Sequence, residues 1–83
     1  MRPEVINAFV REALAFVPGD TVCQRNFRAA LVTGLKRGLG AKPENPDWTV
    51  ADVVRQAVER AGCQPDYDSR LLALAWPPER PAS

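Results

Sequence analysis

Two cysteines, Cys23 and Cys63, and no histidine in 83 residues set limits on the chemistry open to this chain. Histidine is the commonest general base and a leading metal ligand, so its absence removes most hydrolytic triads and mixed Cys/His zinc sites. The cysteines stand forty residues apart, with no Cys-x-x-Cys pair, and supply no structural zinc site. Asp66 and Asp68 flank Tyr67 in a turn, but two carboxylates without further oxygen ligands fall short of a calcium site. No nucleophile is paired with a base. No catalytic residue, metal or cofactor is therefore expected, and an enzyme is the least favoured reading.

The residues that remain are basic and amide side chains suited to binding. The formal net charge is +1, yet between Thr21 and Pro43 stand five basic residues (Arg25, Arg28, Lys36, Arg37 and Lys42) and no acidic one. The rest of the chain holds six basic and ten acidic residues, so a near-neutral total conceals a segment of +5 against −4 elsewhere. Each of the five cations can neutralise a phosphate, which would give duplex DNA binding a steep salt dependence. Arg55, Gln56 and Arg60 form a second group, since arginine reads guanine edges and glutamine reads adenine edges. Asp52 and Glu59 on the same stretch cancel its charge, and helical partners such as Asp52 with Gln56 and Arg55 with Glu59 are the competing reading.

The elements that must position these groups are legible as helices. Pro3 and Glu4 suit a first helical turn, and Val5, Ile6, Phe9, Val10, Ala13, Leu14 and Val17 recur at helical spacing until Pro18-Gly19. Thr21 to Gln24 reads as a capping box. Phe27, Ala30, Leu31, Gly34, Leu35 and Gly38 then form one stripe, whose glycines would let a neighbouring backbone approach. Arg25, Arg28 and Lys36 lie on or beside the opposite face, with Arg37 on the far flank. Leu39 to Asp47, rich in Gly, Pro and Asn, reads as a loop. Thr49 is the next N-cap, with Asp52 at the third helical position and Trp48 placed to pack on Val53 as a hydrophobic staple rather than to stack on a base. Val50, Val53, Val54, Ala57, Val58 and Ala61 give the third stripe, which Gly62 ends.

The last segment has two readings. Arg70 to Trp76 is a short apolar run closed by Pro77-Pro78. It is expected to be a strand, paired with residues near Cys63 and Gln64 in a small hairpin, or alternatively a short fourth helix. Trp76 and Tyr67 would line either the core or a contact patch. Residues 1–76 are expected to form one domain and Pro77 to Ser83 a flexible Pro-rich tail. No apolar run approaches the ~18 residues of a membrane span. The N-terminus carries no secretory pattern, so a soluble cytoplasmic protein with both cysteines reduced is expected, a single Cys23–Cys63 disulfide being the alternative.

Three helices followed by a hairpin is the order of a winged helix-turn-helix. The runs Val5-Ile6-Asn7-Ala8-Phe9-Val10-Arg11-Glu12, Pro18-Gly19-Asp20-Thr21-Val22, Phe27-Arg28-Ala29-Ala30-Leu31 and Trp48 through Gly62 resemble the winged-helix module at the C-terminal end of phage and plasmid primase-helicases of the poxvirus type. The resemblance implies a mainly α, winged-helix-like fold and a small DNA-binding protein of phage, prophage or plasmid type. In it the second helix would hold phosphates, and Arg55, Gln56 and Arg60 would face the major groove. The sequence departs from that pattern in the length of its Leu39–Asp47 loop, since a helix-turn-helix usually joins its helices with three or four residues. No helicase or primase segment is present in these residues, so only the binding role carries over. The rival expectation is a protein-interaction factor, for example a phage-encoded inhibitor of a host defence complex, that sets the basic face against an acidic protein surface. A homodimer would double the basic footprint and predict a palindromic DNA site.

Overall fold

The computed structural model describes residues 3–42 and 44–76; the tail expected from Pro77 to Ser83 lies outside them. Three α-helices follow in order: α1 (Pro3–Leu14), α2 (Val22–Ala41) and α3 (Val50–Ala61), and a single 3₁₀ turn, Ser69–Ala73, follows them. The fold is mainly helical, with no strand among the described residues.

Each boundary has a local cause. Pro18 cannot continue α1, and the chain before it tightens through Phe16 N–H to Ala13 (3.1 Å) and Val17 N–H to Leu14 (3.0 Å). At α2 the Thr21 hydroxyl accepts from the Gln24 N–H (3.0 Å). The Gln24 side-chain oxygen in turn accepts from the N–H groups of Thr21 (3.0 Å) and Asp20 (2.8 Å), so three orphan donors are satisfied by two side chains. That double duty explains how Gln24 can be the buried polar residue. Thr49 and Asp52 make the same reciprocal box at α3, and Gly62 ends it at φ 71°, a left-handed conformation that favours glycine.

The core is an α2 spine packed on both neighbours. Phe27, Leu31, Leu35 and Leu39, one per turn, are fully buried. They meet Phe9, Val10, Ala13 and Val17 from the α1 side and Val50, Val53, Val54 and Ala57 from α3. Leu39 was expected to begin the loop; burial keeps it helical, and α2 runs on to Ala41. Cys23 in the first turn of α2, Gly34 and Gly38 lie against Cys63, Val53 and Trp48 respectively, so α2 and α3 run antiparallel.

The C-terminal segment corrects the expectation of a hairpin. Asp68 N–H donates to the Phe16 carbonyl (2.8 Å), tying this segment to the end of α1 instead of to a partner strand. The Asp68 carboxylate caps the turn by accepting from Arg70 N–H (2.9 Å), and Leu71 fills the core. Tyr67 stacks on Phe27 (5.4 Å between centroids, 12° between planes) and Trp76 meets Phe9 edge-on at 5.1 Å. Both aromatics therefore belong to the core side. With apolar side chains drawn inward at irregular intervals, the Arg70–Trp76 run has neither a period-two face nor a strand to pair with.

The cysteines are also corrected. Cys23 and Cys63 form a disulfide, with Cα atoms 6.1 Å apart, that joins the first turn of α2 to the residue after Gly62. Among the described residues no helix is long and apolar enough to cross a membrane.

Candidate functional site: a basic groove between α2 and α3

The eight residues expected to bind a partner do not share one surface. Arg28 lies on the flank of α2 toward α1, and its guanidinium donates to the carbonyls of Leu14 (3.1 Å) and Val17. It satisfies acceptors at the end of α1, where the helix dipole favours a cation. Lys42 donates to Pro46 O (2.9 Å) and to Trp48 O, and its ammonium sits 5.5 Å from the centre of the Trp48 ring. Both cations hold the fold together. Arg55 is drawn to Asp52 at 2.9 Å, an i,i+3 pair in place of the expected i,i+4 partners. Arg25, close to the Gly19 carbonyl (3.5 Å), and Lys36 stay on the exposed outer face of α2.

Arg37, Gln56 and Arg60 do border one groove. They line a concavity of about 210 Å³ between α2 and α3 together with Ala30, Gly34, Gly38, Ala41, Ala57 and the Trp48 ring, and among the described residues the lining contains no carboxylate. The shape follows from residue size. Small residues at turn-by-turn spacing along α2 leave a flat strip, and α3 and the loop close over it. A Cβ at Gly34 would stand 2.7 Å from Val53 Cγ1, and one at Gly38 would enter the Trp48 indole. The glycines thus admit side chains of the facing segment, where a backbone approach was expected. Trp48 rests on Gly38 as part of the groove floor, fixed from above by Lys42.

Arg37 and Arg60 make no hydrogen bond or ion pair among the described residues, and both are exposed. Their charges are uncompensated at the rim. The acidic groups of α3 lie elsewhere: Asp52 belongs to the cap and to Arg55, and Glu59 points to the other side of the helix. There, a wider depression of about 470 Å³ is lined by Val54, Val58, Tyr67 and exposed Leu72, with Arg55 and Glu59 of opposite sign.

The resolved titration shifts belong to the caps. Asp52 is held below its ordinary value by the Thr49 backbone N–H, then by the Thr49 hydroxyl and Arg55. Asp68 is lowered chiefly by the Arg70 guanidinium, whose own value is raised by the same bond. With both carboxylate oxygens of Asp68 accepting from Arg70, the turn sequence closes on itself (2.7 Å for the shortest contact). Among the described residues no three Cys, Asp or Glu side chains converge as a metal-binding group would.

The sequence reading named Arg37, Gln56 and Arg60 but assigned them to different tasks, and it missed the floor. The signal was present in Ala30, Gly34, Gly38 and Ala41, whose spacing of three and four marks a strip of small residues next to a flanking arginine. No protein-family model, curated protein or solved structure matches the chain.

Proposed function

We propose that this chain is a small, non-enzymatic interaction module that binds an acidic protein surface through the groove between α2 and α3. The observation that carries the reading is that Arg37, Gln56 and Arg60 line one partly apolar groove whose lining, among the described residues, holds no carboxylate. Convergent polar groups around an apolar recess are the usual form of a specific binding site. Arginine and tryptophan are also the residue types that most often dominate protein interfaces. The non-enzymatic part of the reading rests on the absence of histidine and of a nucleophile beside a base.

Duplex DNA, the first expectation from the sequence, is less well supported. Arg28 and Lys42 are committed to backbone carbonyls and Arg55 to Asp52, so three of the eight candidate contacts are already engaged. The three-helix order is what the chain shares with winged-helix modules, while the segment that would form the wing packs on Phe16 and Phe27. The disulfide further supports an oxidising compartment over the cytoplasm, where thiols are kept reduced.

Fluorescence anisotropy with labelled poly-glutamate and a labelled random 20-base-pair duplex, across a salt series, separates the two. Poly-glutamate is expected to bind and to be released by the double substitution Arg37→Glu, Arg60→Glu. Tighter binding of the duplex at physiological salt, unaffected by that substitution, would overturn the reading in favour of DNA.

A further inference from the structure

We propose that the groove receives an acidic peptide segment of a partner protein that inserts one bulky apolar side chain between α2 and α3. The inference rests on the acidic-partner reading and adds what the partner must look like. Three features of the groove specify it.

The first is size. At about 210 Å³ the concavity is smaller than the roughly 300–1,000 Å³ of ordinary small-molecule sites. It suits a single large side chain entering from a chain that otherwise stays outside. The second is the floor. Ala30, Ala41 and the Trp48 ring, which itself covers Gly38, offer partly exposed apolar surface, which gains nothing from a phosphate or a sugar but gains from leucine or phenylalanine. The third is the rim, where Arg37 on α2 and Arg60 on α3 each present a guanidinium suited to paired hydrogen bonds with a carboxylate. Gln56, between them on α3, carries both a donor and an acceptor and is suited to a peptide amide.

Charge and shape therefore ask for the same occupant: an apolar anchor with a carboxylate near it on the peptide. Duplex DNA supplies the negative charge but no side chain for the recess. The mixed-charge depression on the opposite face of α3 has no comparable selectivity. Lys42 holds Trp48 over Gly38 at one end of the groove, and the disulfide closes the other end of the α2–α3 pair.

The test is a titration of the ¹⁵N-labelled oxidised chain followed by amide and indole N–H resonances. Three capped pentapeptides serve as probes: Glu-Glu-Leu-Glu-Glu, the same peptide with alanine at its centre, and Lys-Lys-Leu-Lys-Lys. The first is expected to shift the Gly34 and Gly38 amides and the Trp48 indole. Its central alanine should weaken binding about tenfold, the cost of leaving one large side chain unburied, and the lysine peptide should not bind. Thr33→Trp, an exposed lining position, fills the recess and should abolish the advantage of leucine over alanine while leaving Arg37 and Arg60 in place. Equal affinity for the leucine and alanine peptides would overturn the anchored mode and leave the acidic-partner reading standing. Absence of binding by both acidic peptides, with duplex DNA shifting the same resonances, would overturn both.

Discussion

Breaking the Cys23–Cys63 bond is expected to cost this domain a large part of its stability. The cross-link closes a loop of forty residues, and in the chain-entropy model its removal returns about 13 cal/mol/K to the unfolded ensemble, or about 3.9 kcal/mol at 25 °C. A chain of 83 residues has a total stability of roughly 4–12 kcal/mol. Reduction therefore removes between a third and nearly all of it. At roughly 4–8 °C per kcal/mol, the thermal midpoint should fall by roughly 15–30 °C.

The assay is urea unfolding followed by circular dichroism, with and without a phosphine reductant, beside the double variant Cys23→Ser, Cys63→Ser. The reduced chain and the variant should unfold together, and reductant should leave the variant unchanged. The urea dependence of the unfolding free energy should also steepen on reduction, because an unfolded chain freed of its cross-link exposes more surface. A loss below about 1 kcal/mol would mean that the loop-closure contribution expected for forty residues is absent from this domain.

Glycines provide a paired prediction: Gly38→Ala drives a Cβ into the Trp48 ring and should destabilise by roughly 1–3 kcal/mol of overpacking, offset by about 1 kcal/mol of helix propensity. Gly40→Ala, with nothing within 4 Å, should instead stabilise by up to about 1 kcal/mol, and urea midpoints compare the two directly. Arg28→Ala strands the Leu14 and Val17 carbonyls and should cost roughly 1.5–3 kcal/mol in the same unfolding assay, whereas Lys36→Ala, on the open face, should be nearly neutral. Asp52 and Asp68 are held below their ordinary value of 3.8 in the folded chain, so the stability they contribute is complete above that pH and is lost as pH falls through their folded values. Melting temperatures from pH 7 to pH 2.5 should drop at the acid end, and Asp52→Asn with Asp68→Asn should flatten that drop.

The starts of α2 and α3 and the end of α3 were legible because they are set by neighbours in sequence, whereas α1 stops at Leu14, short of the Val17 the stripe reached, and α2 runs past Leu39 to Ala41. Thr21 with Gln24, Thr49 with Asp52, and Gly62 each act within one turn, and the structure places all three where the pattern predicts. The C-terminal run was not legible, because its outcome depends on Leu71 reaching the core and on Asp68 meeting the Phe16 carbonyl, both long-range events. Arg28 and Lys42 were misassigned for a related reason. Charge alone does not distinguish a solvated cation from one whose donors are used by carbonyls at a helix end or in a loop.

The disulfide was within reach of the sequence once α2 and α3 are taken as an antiparallel pair. Gly34 meets Val53, and eleven residues earlier on α2 stands Cys23 while ten residues later on the α3 side stands Cys63. Because both helices rise by about 1.5 Å per residue, a register fixed at the glycines carries the two cysteines to the same level. The expectation of reduced cysteines rested on compartment preference alone. The same register links stability to the groove: Gly34 and Gly38 let Val53 and Trp48 seat against α2 along it, and the disulfide closes one end of the α2–α3 pair. A domain this small buries too little apolar surface to keep a recess rigid by packing alone. Under the proposed binding mode, the cross-linked helix pair carries Arg37 and Arg60 on a backbone ordered before a partner arrives, so the ordering cost falls chiefly on the incoming peptide and on the two arginine side chains.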